Sequence, residues 1–266
     1  MEYVQIGKVK ASRFILGTNQ FSGFSHWSPQ TDLEMKRYYT VEKIKQTLRE
    51  AESLGINTMI GRADNFVIRF LLEYWDQGGR IQWFAQTCSE LATHEASIGN
   101  AASGGAKACH IHGGVMDYLL AQDKADEIKP AIELIRKKGM LAGIAGHNHK
   151  VFEWAEKNLD VDYYMCCYYN ASRRDNRAGH VAGMEEIFDN EDRDTMTNLI
   201  QVLSKPVIHY KIMGAGRNDP KEAFQYAAKA MRKNDAACVG VYTKDNPDMI
   251  RNGVDLLISN LKESGR

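Results

Sequence analysis

Residues 108–114 read ACHIHGG, an apolar run that ends in histidine and then glycine. Two more apolar runs lead into histidine, GIAGHNH at 143–149 and VIHYK at 207–211. Each reads as a short buried strand followed by the start of an amphipathic segment. Together they hold five of the eight histidines: His110, His112, His147, His149 and His209. In one closed parallel barrel these strand ends would share one mouth.

The rest of the chain repeats this alternation. Strands are expected at 14–17, 58–61, 82–87, 108–112, 141–145, 163–168, 206–210 and 238–242. Helices are expected at 40–54, 65–77, 92–101, 126–138, 150–158, 192–203, 220–233 and 247–261. Eight strand–helix units in 266 residues predict a single-domain (β/α)8 TIM barrel spanning 1–266. Residues 2–15 read as a hairpin around Gly7-Lys8 that would close the bottom of the barrel. Thr40 is placed to cap the first helix, and Pro220 and Pro247 sit where helices start. Pro130 predicts a late helix start or a kink. Residues 170–190 are polar and irregular and include Arg173, Arg174, Arg177, His180, Glu185 and Glu186. A loop this long inside a compact domain reads either as a functional lid or as a solvated insertion.

Bulk properties narrow the function classes. Acidic and basic residues number 34 each, which argues against charge-led nucleic-acid binding. Five cysteines without a CxxC pair argue against a disulfide framework and make a reducing cytoplasm the expected location. No apolar run approaches ~18 residues, so no membrane span is expected. The expected partner is a small molecule. Assembly into a homo-oligomer stays open, because the sequence carries no readable interface pattern.

Several stretches resemble the aldo-keto reductase superfamily. They are MEYVQIGKVKASRFILGTNQF, LREAESLGINTMIGRADNF, HIHGG, GIAGHNHKVFEWAEK, VDYYMCCYYN, KPVIHYKIMGAGR and VGVYTKDNPDMIRNGVDLL. The resemblance spans nearly the whole chain. It implies an NADPH-binding barrel whose chemistry rests on Asp, Tyr, Lys and His. Gly61, Phe66 and Gln86 stand where that family has its Asp, Tyr and Lys, and only the His is matched, as His112. Ala145-Gly146 and Cys166 replace the groups that hold the nicotinamide carboxamide. Tyr210 matches the tyrosine that stacks on nicotinamide. Lys244, Asn246, Arg251 and Asn252 lie where the family grips the dinucleotide. A phenylalanine cannot donate a proton, so the resemblance implies a barrel that has left hydride transfer. The alternative is a divergent NADPH-dependent oxidoreductase.

Strand parity then selects candidate site residues. In the fourth barrel strand the apolar Cys109 and Ile111 suit the helix layer, which turns His110 and His112 inward. In the fifth, Met140, Ala142 and Ile144 suit the outside, which turns His147 inward. In the seventh, Ile208 and Ile212 suit the outside, which turns His209 and Lys211 inward. That conflicts with an inward Tyr210 unless the strand bulges. His110, being deeper, is expected to be structural.

His112, His147 and His209 would then hold a divalent metal, zinc, manganese or similar, with water in an open position. His149, Glu90, His180 and Glu185 are reserve ligands. Lys211 would stabilise an enolate or oxyanion, and Arg62 and Asp64 would fix hydroxyls or a carboxylate. Phe21, Phe24, Trp27, Tyr168 and Tyr169 suggest an aromatic mouth suited to a sugar derivative. The expected function is a non-redox, metal-dependent hydrolase, lyase or isomerase. Gly214-Ala215-Gly216-Arg217 is a candidate anion cradle.

Overall fold

The structure is a computed structural model that describes residues 1–91, 93–179, 181 and 184–266. The chain opens with β1 (Tyr3–Ile6), β2 (Val9–Ser12) and β3 (Phe14–Gly17), then α1 (Pro29–Tyr38) and α2 (Val41–Ser53). It continues with β4 (Thr58–Arg62), α3 (Asn65–Asp76), β5 (Gln82–Gln86), α4 (His94–Ser103), β6 (Ala108–Ile111), α5 (Gly113–Ala121) and α6 (Lys129–Lys137). The last part holds β7 (Leu141–Gly146), α7 (His149–Asn158), β8 (Tyr163–Cys167), α8 (Asn190–Ile200), β9 (Val207–Tyr210), α9 (Pro220–Ala230), β10 (Ala236–Gly240) and α10 (Met249–Glu263).

Strands β3 to β10 pair in parallel, and β10 closes on β3, so the expected (β/α)8 barrel is present. β1 and β2 form a separate antiparallel hairpin. Its Val4, Ile6 and Ala11 pack into the cluster that fills the barrel interior, beside Ile15, Phe84 and Leu141. The hairpin therefore plugs the N-terminal end, and the C-terminal end remains as the mouth. No described helix is long and apolar enough to cross a membrane.

Local signals account for most boundaries. Thr40 caps α2 by accepting from Lys43 N, and Asp219 caps α9 ahead of Pro220. A 3-10 turn at Ala125–Ile128 precedes α6, which starts at Lys129 with Pro130 in its first turn. Pro130 therefore marks a late start, where a missing N–H costs nothing. Pro247 falls just ahead of the Asp248 N-cap of α10.

Two helices were not expected from the sequence. α1 follows a Ser28 cap with Pro29 at its first position. α5 begins at Gly113-Gly114 directly after β6, and two poor helix formers hide it.

Inward and outward faces follow from the two apolar clusters. Cys109, Ile111, Met140, Ala142 and Ile144 face the helix layer, as parity predicts. The seventh barrel strand, β9, reverses the expectation. Ile208 lies in the interior cluster and Tyr210 packs against it, so His209 faces the helices. Lys211 has φ 56°, which ends the alternation and turns its side chain back to the mouth beside Tyr210. The assumed parity failed because it took Lys211 as part of an unbroken strand.

Candidate active site at the barrel mouth

A cavity of about 200 Å³ opens at the C-terminal end of the barrel. Arg62, Gln86, His112, His147, Tyr210 and Lys211 line it from the strand ends. Phe24 and His26 reach it from the first loop, and Arg174 and Gly179 from the 170–189 segment. The volume lies below the ~300–1,000 Å³ of most ligand sites, which favours a small substrate.

His112 ends the β6 segment and is the N-cap residue of α5. Its Nδ1 accepts from Gly114 N at 3.1 Å, and its own N–H donates to Thr87 Oγ1 at 2.9 Å. A ring nitrogen that accepts a backbone N–H carries no proton, so in the neutral ring Nε2 carries it. Burial pushes the His112 pKa well below the ordinary imidazole value, and the charges of Arg174 and Arg62 add to the effect. His112 is thus a neutral N–H donor.

His147 has the opposite hydrogen-bond state. Its Nδ1 lies 2.7 Å from Asp117 Oδ2, and its backbone N–H also donates to that carboxylate. Asn148 N donates to Asp117 Oδ1 at 3.0 Å. A carboxylate that already accepts backbone donors accepts here too, so Nδ1 carries the hydrogen and Nε2 is left as an acceptor. Burial lowers the His147 pKa, Asp117 opposes that shift, and Lys211 and Arg174 push it down further. The ring is a neutral base at pH 7, oriented by a buried acid.

Glycine makes this closeness possible. A Cβ at Gly113 would lie 3.0 Å from both His147 Cε1 and Tyr210 Oη. One at Gly114 would collide with the Ala178 carbonyl oxygen. The stretch around Ala178 therefore rests on the first turn of α5. It is tied there by Gln122 Nε2 to Asp175 O at 2.8 Å, and to the first loop by His26 with Glu186 at 2.9 Å.

Several expected site residues lie elsewhere. His209 is fully buried on the helix side of β9. Its Nδ1 bonds Tyr168 Oη at 2.9 Å, and its Nε2 lies 3.3 Å from Asp235. It cannot join His112 and His147, because the inner residue of its strand is Ile208. Nor can His112 ligate, because Gly114 occupies its Nδ1 and its Nε2 holds the proton. The three-imidazole metal centre does not fit these residues. Among the described residues no group of three His, Cys, Asp or Glu side chains is placed to hold a metal.

Of the reserve ligands, Glu90 pairs with Arg62, and His149 starts α7. Glu185 is exposed, and His180 lies outside the described residues. Asp64 caps α3 and bonds Arg62 Nε at 2.9 Å, so it holds the arginine. His110 is sealed inside the barrel with Tyr163, and burial lowers its pKa to about 3.

Of the aromatic residues, Phe24 lines the cavity and Trp27 is exposed beside Arg217. Phe21, Tyr168 and Tyr169 belong to the outer core instead. Cys166 also packs outward. Lys244 pairs with Glu34 at 3.6 Å, and Asn246, Arg251 and Asn252 are exposed, away from the cavity lining. The turn at Gly214–Gly216 uses most of its N–H groups internally, which weakens it as an anion cradle.

Sequence reasoning missed Asp117 and did not single out Arg174. Asp117 stands alone as an acid in the apolar run GGVMDYLLA, a signal that was available once that run is read as a helix.

No family model matches the chain, and no curated protein matches it in sequence. The fold is that of the aldo-keto reductases. A putative aldo-keto reductase from Pseudomonas aeruginosa superposes with a TM-score of 0.65 at 15% identity, covering 98% of this chain and 94% of that one. An aldo-keto reductase from Bacillus halodurans gives 0.60 at 14% identity, covering 99% and 96%. A truncated 3-deoxy-D-arabino-heptulosonate 7-phosphate synthase from Thermotoga maritima gives 0.55 at 12% identity, covering 99% and 92%. The chain thus resembles barrels of both redox and non-redox kinds in fold.

Proposed function

We propose that this chain is a non-redox barrel enzyme that moves a proton next to the carbonyl of a small, sugar-like substrate, as an isomerase or lyase. The observation that carries the reading is the opposite hydrogen-bonding of two imidazoles on one cavity: His147 bonded to Asp117 and His112 bonded to Gly114 N. His147 Nε2 takes the proton from the carbon beside the carbonyl. The C–H electron pair forms the C=C bond of an enediolate, and the carbonyl oxygen becomes an oxyanion. His112 Nε2–H and the Lys211 ammonium stabilise that oxygen. The enediolate's remaining hydroxyl proton passes to the adjacent oxyanion, and His147 returns its proton to the former carbonyl carbon, so the other oxygen becomes the carbonyl of the isomer. In a lyase the same enolate expels a group from the next carbon. A neutral imidazole donor suits this step, because it polarises the carbonyl without a strong acid. Arg62, braced by Asp64 and stacked on Phe24 at 5.0 Å, orients substrate hydroxyls. No step runs through a metal, because the donor set does not fit one.

The test is hydrogen exchange in D2O, followed by NMR, on short ketoses, their phosphates and 2-oxo acids. The expected result is loss of the signal beside the carbonyl for at least one compound, and a rate about 10²–10⁴-fold lower in His147→Gln. Exchange that is absent from the wild type across the set, or unchanged in the variant, contradicts the reading.

A second reading, a divergent NADPH-dependent oxidoreductase, is favoured by one observation: Tyr210 turns inward at the mouth. NADPH would supply the hydride. Quenching of intrinsic fluorescence by micromolar NADPH would support it, and silence at millimolar NADPH would remove it.

A further inference from the structure

Arg174 is 5% exposed, yet it lines the mouth cavity. Its Nη1 donates to the carbonyl oxygens of Ala178 and Gly179, two residues of its own loop. Its Nε is buried without a partner, and among the described residues it forms no ion pair. The acids within electrostatic reach, Asp117 and Glu186, are bonded elsewhere. Asp117 holds His147, and Glu186 holds His26 and Ser172. Arg62 at the same mouth differs. It is neutralised by Asp64 and Glu90. A guanidinium stays charged at any pH of interest, and leaving one buried without an anion is costly. The cost is offset when a ligand supplies the anion.

The location narrows the ligand further. Arg174 is near enough to both His112 and His147 for its charge to act on each. An anion held by it would sit beside the reacting carbons of a short substrate. The carbonyls of Ala178 and Gly179 fix the guanidinium before binding, so little freedom is lost on docking.

We infer that Arg174 is an anchor for an oxyanion group, carboxylate or phosphate, of the substrate, held at the mouth by residues 174–179. The inference rests on the proposed reaction for its context but not for its test. A carboxylate and a phosphate offer the same recognition chemistry, two or more oxygens for the N–H fork. Residues 174–179 then line the mouth and carry the charge that the substrate neutralises.

Calorimetric titration of the full chain with inorganic phosphate, glycolate and uncharged glycerol tests it without turnover. Phosphate, glycolate or both are expected to bind, and glycerol is not. Phosphate alone points to a phosphorylated substrate, and glycolate alone to a carboxylate. Arg174→Gln should weaken oxyanion binding about thirtyfold or more, whereas Arg173→Gln, an exposed neighbour, should not. Arg174→Lys, which keeps the charge and loses the fork, should fall between them. In the wild type the Arg174 Nε–H NMR signal should shift on titration, a readout that needs no variant to fold. His147→Gln should bind the same anion normally, which separates this anchor from the proton-transfer reading. The inference is overturned if neither oxyanion binds at millimolar concentration, if glycerol binds as well, or if Arg174→Gln binds with wild-type affinity.

Discussion

Among the described residues two histidine–aspartate pairs are built from similar sequence, and they end in opposite places. His147 follows β7 and meets Asp117 of α5 at 2.7 Å, with one ring edge left to the cavity. His209 lies within β9 and meets Asp235 at 3.3 Å, sealed between sheet and helices. Asp235 is further tied to Arg232 and to Val207 N. His209 and Arg232 hold its pKa down to about 2 against the effect of burial. A histidine at the end of an apolar strand therefore does not predict chemistry. What decides is whether the ring lies beyond the last paired residue, facing the mouth, or one residue earlier, facing the helices.

Breaking each acid should separate the two roles. Asp117→Asn keeps an oxygen for the backbone donors but no longer fixes Nδ1 as the protonated nitrogen. Proton exchange on the responsive substrate should fall about 10³–10⁴-fold, with a folded protein by circular dichroism. If the rate stayed within threefold, roughly 0.7 kcal/mol, the dyad would not be part of the reaction.

Asp235→Ala should act the other way. It strands Arg232 and His209 in the interior and should cost about 3–5 kcal/mol in denaturant unfolding. The rate per folded molecule should not change. A stability loss under ~1 kcal/mol would mean that the buried network relaxes freely around the gap.

Acid should sharpen the contrast less strongly. Burial depresses the pKa values of His110, His112 and His147, so the unfolded chain binds protons first as pH falls. Their contribution to stability is full above ~6.5 and is lost below it, at about 1.4 kcal/mol per pH unit per group. For His110 that loss continues down to about 3. Catalysis needs His147 unprotonated, so its acid limb should fall below the ordinary imidazole value. Equilibrium unfolding and rate against pH measure both. A stability flat from pH 7 to 5 would contradict the burial account.

The barrel was legible because eight apolar runs alternate with amphipathic ones, and parallel pairing needs little else. His112, His147 and Arg62 were legible as strand-end residues on faces set by Cys109, Ile111 and Ile144. β9 misled because a left-handed backbone at Lys211 is invisible to a count of alternating residues. Asp117 was missed because Gly113-Gly114 reads as a loop, although glycine is there for close approach to His147 and to Ala178. Arg174 stands in a polar loop among other arginines, and only the fold says which one is buried.

The opposite tautomers of His112 and His147 are the central claim, and long-range ¹H–¹⁵N NMR of the histidine rings at neutral pH measures them directly. Two neutral rings are expected, His112 protonated at Nε2 and His147 at Nδ1. Two rings of the same tautomer, or either ring as the imidazolium, would contradict it.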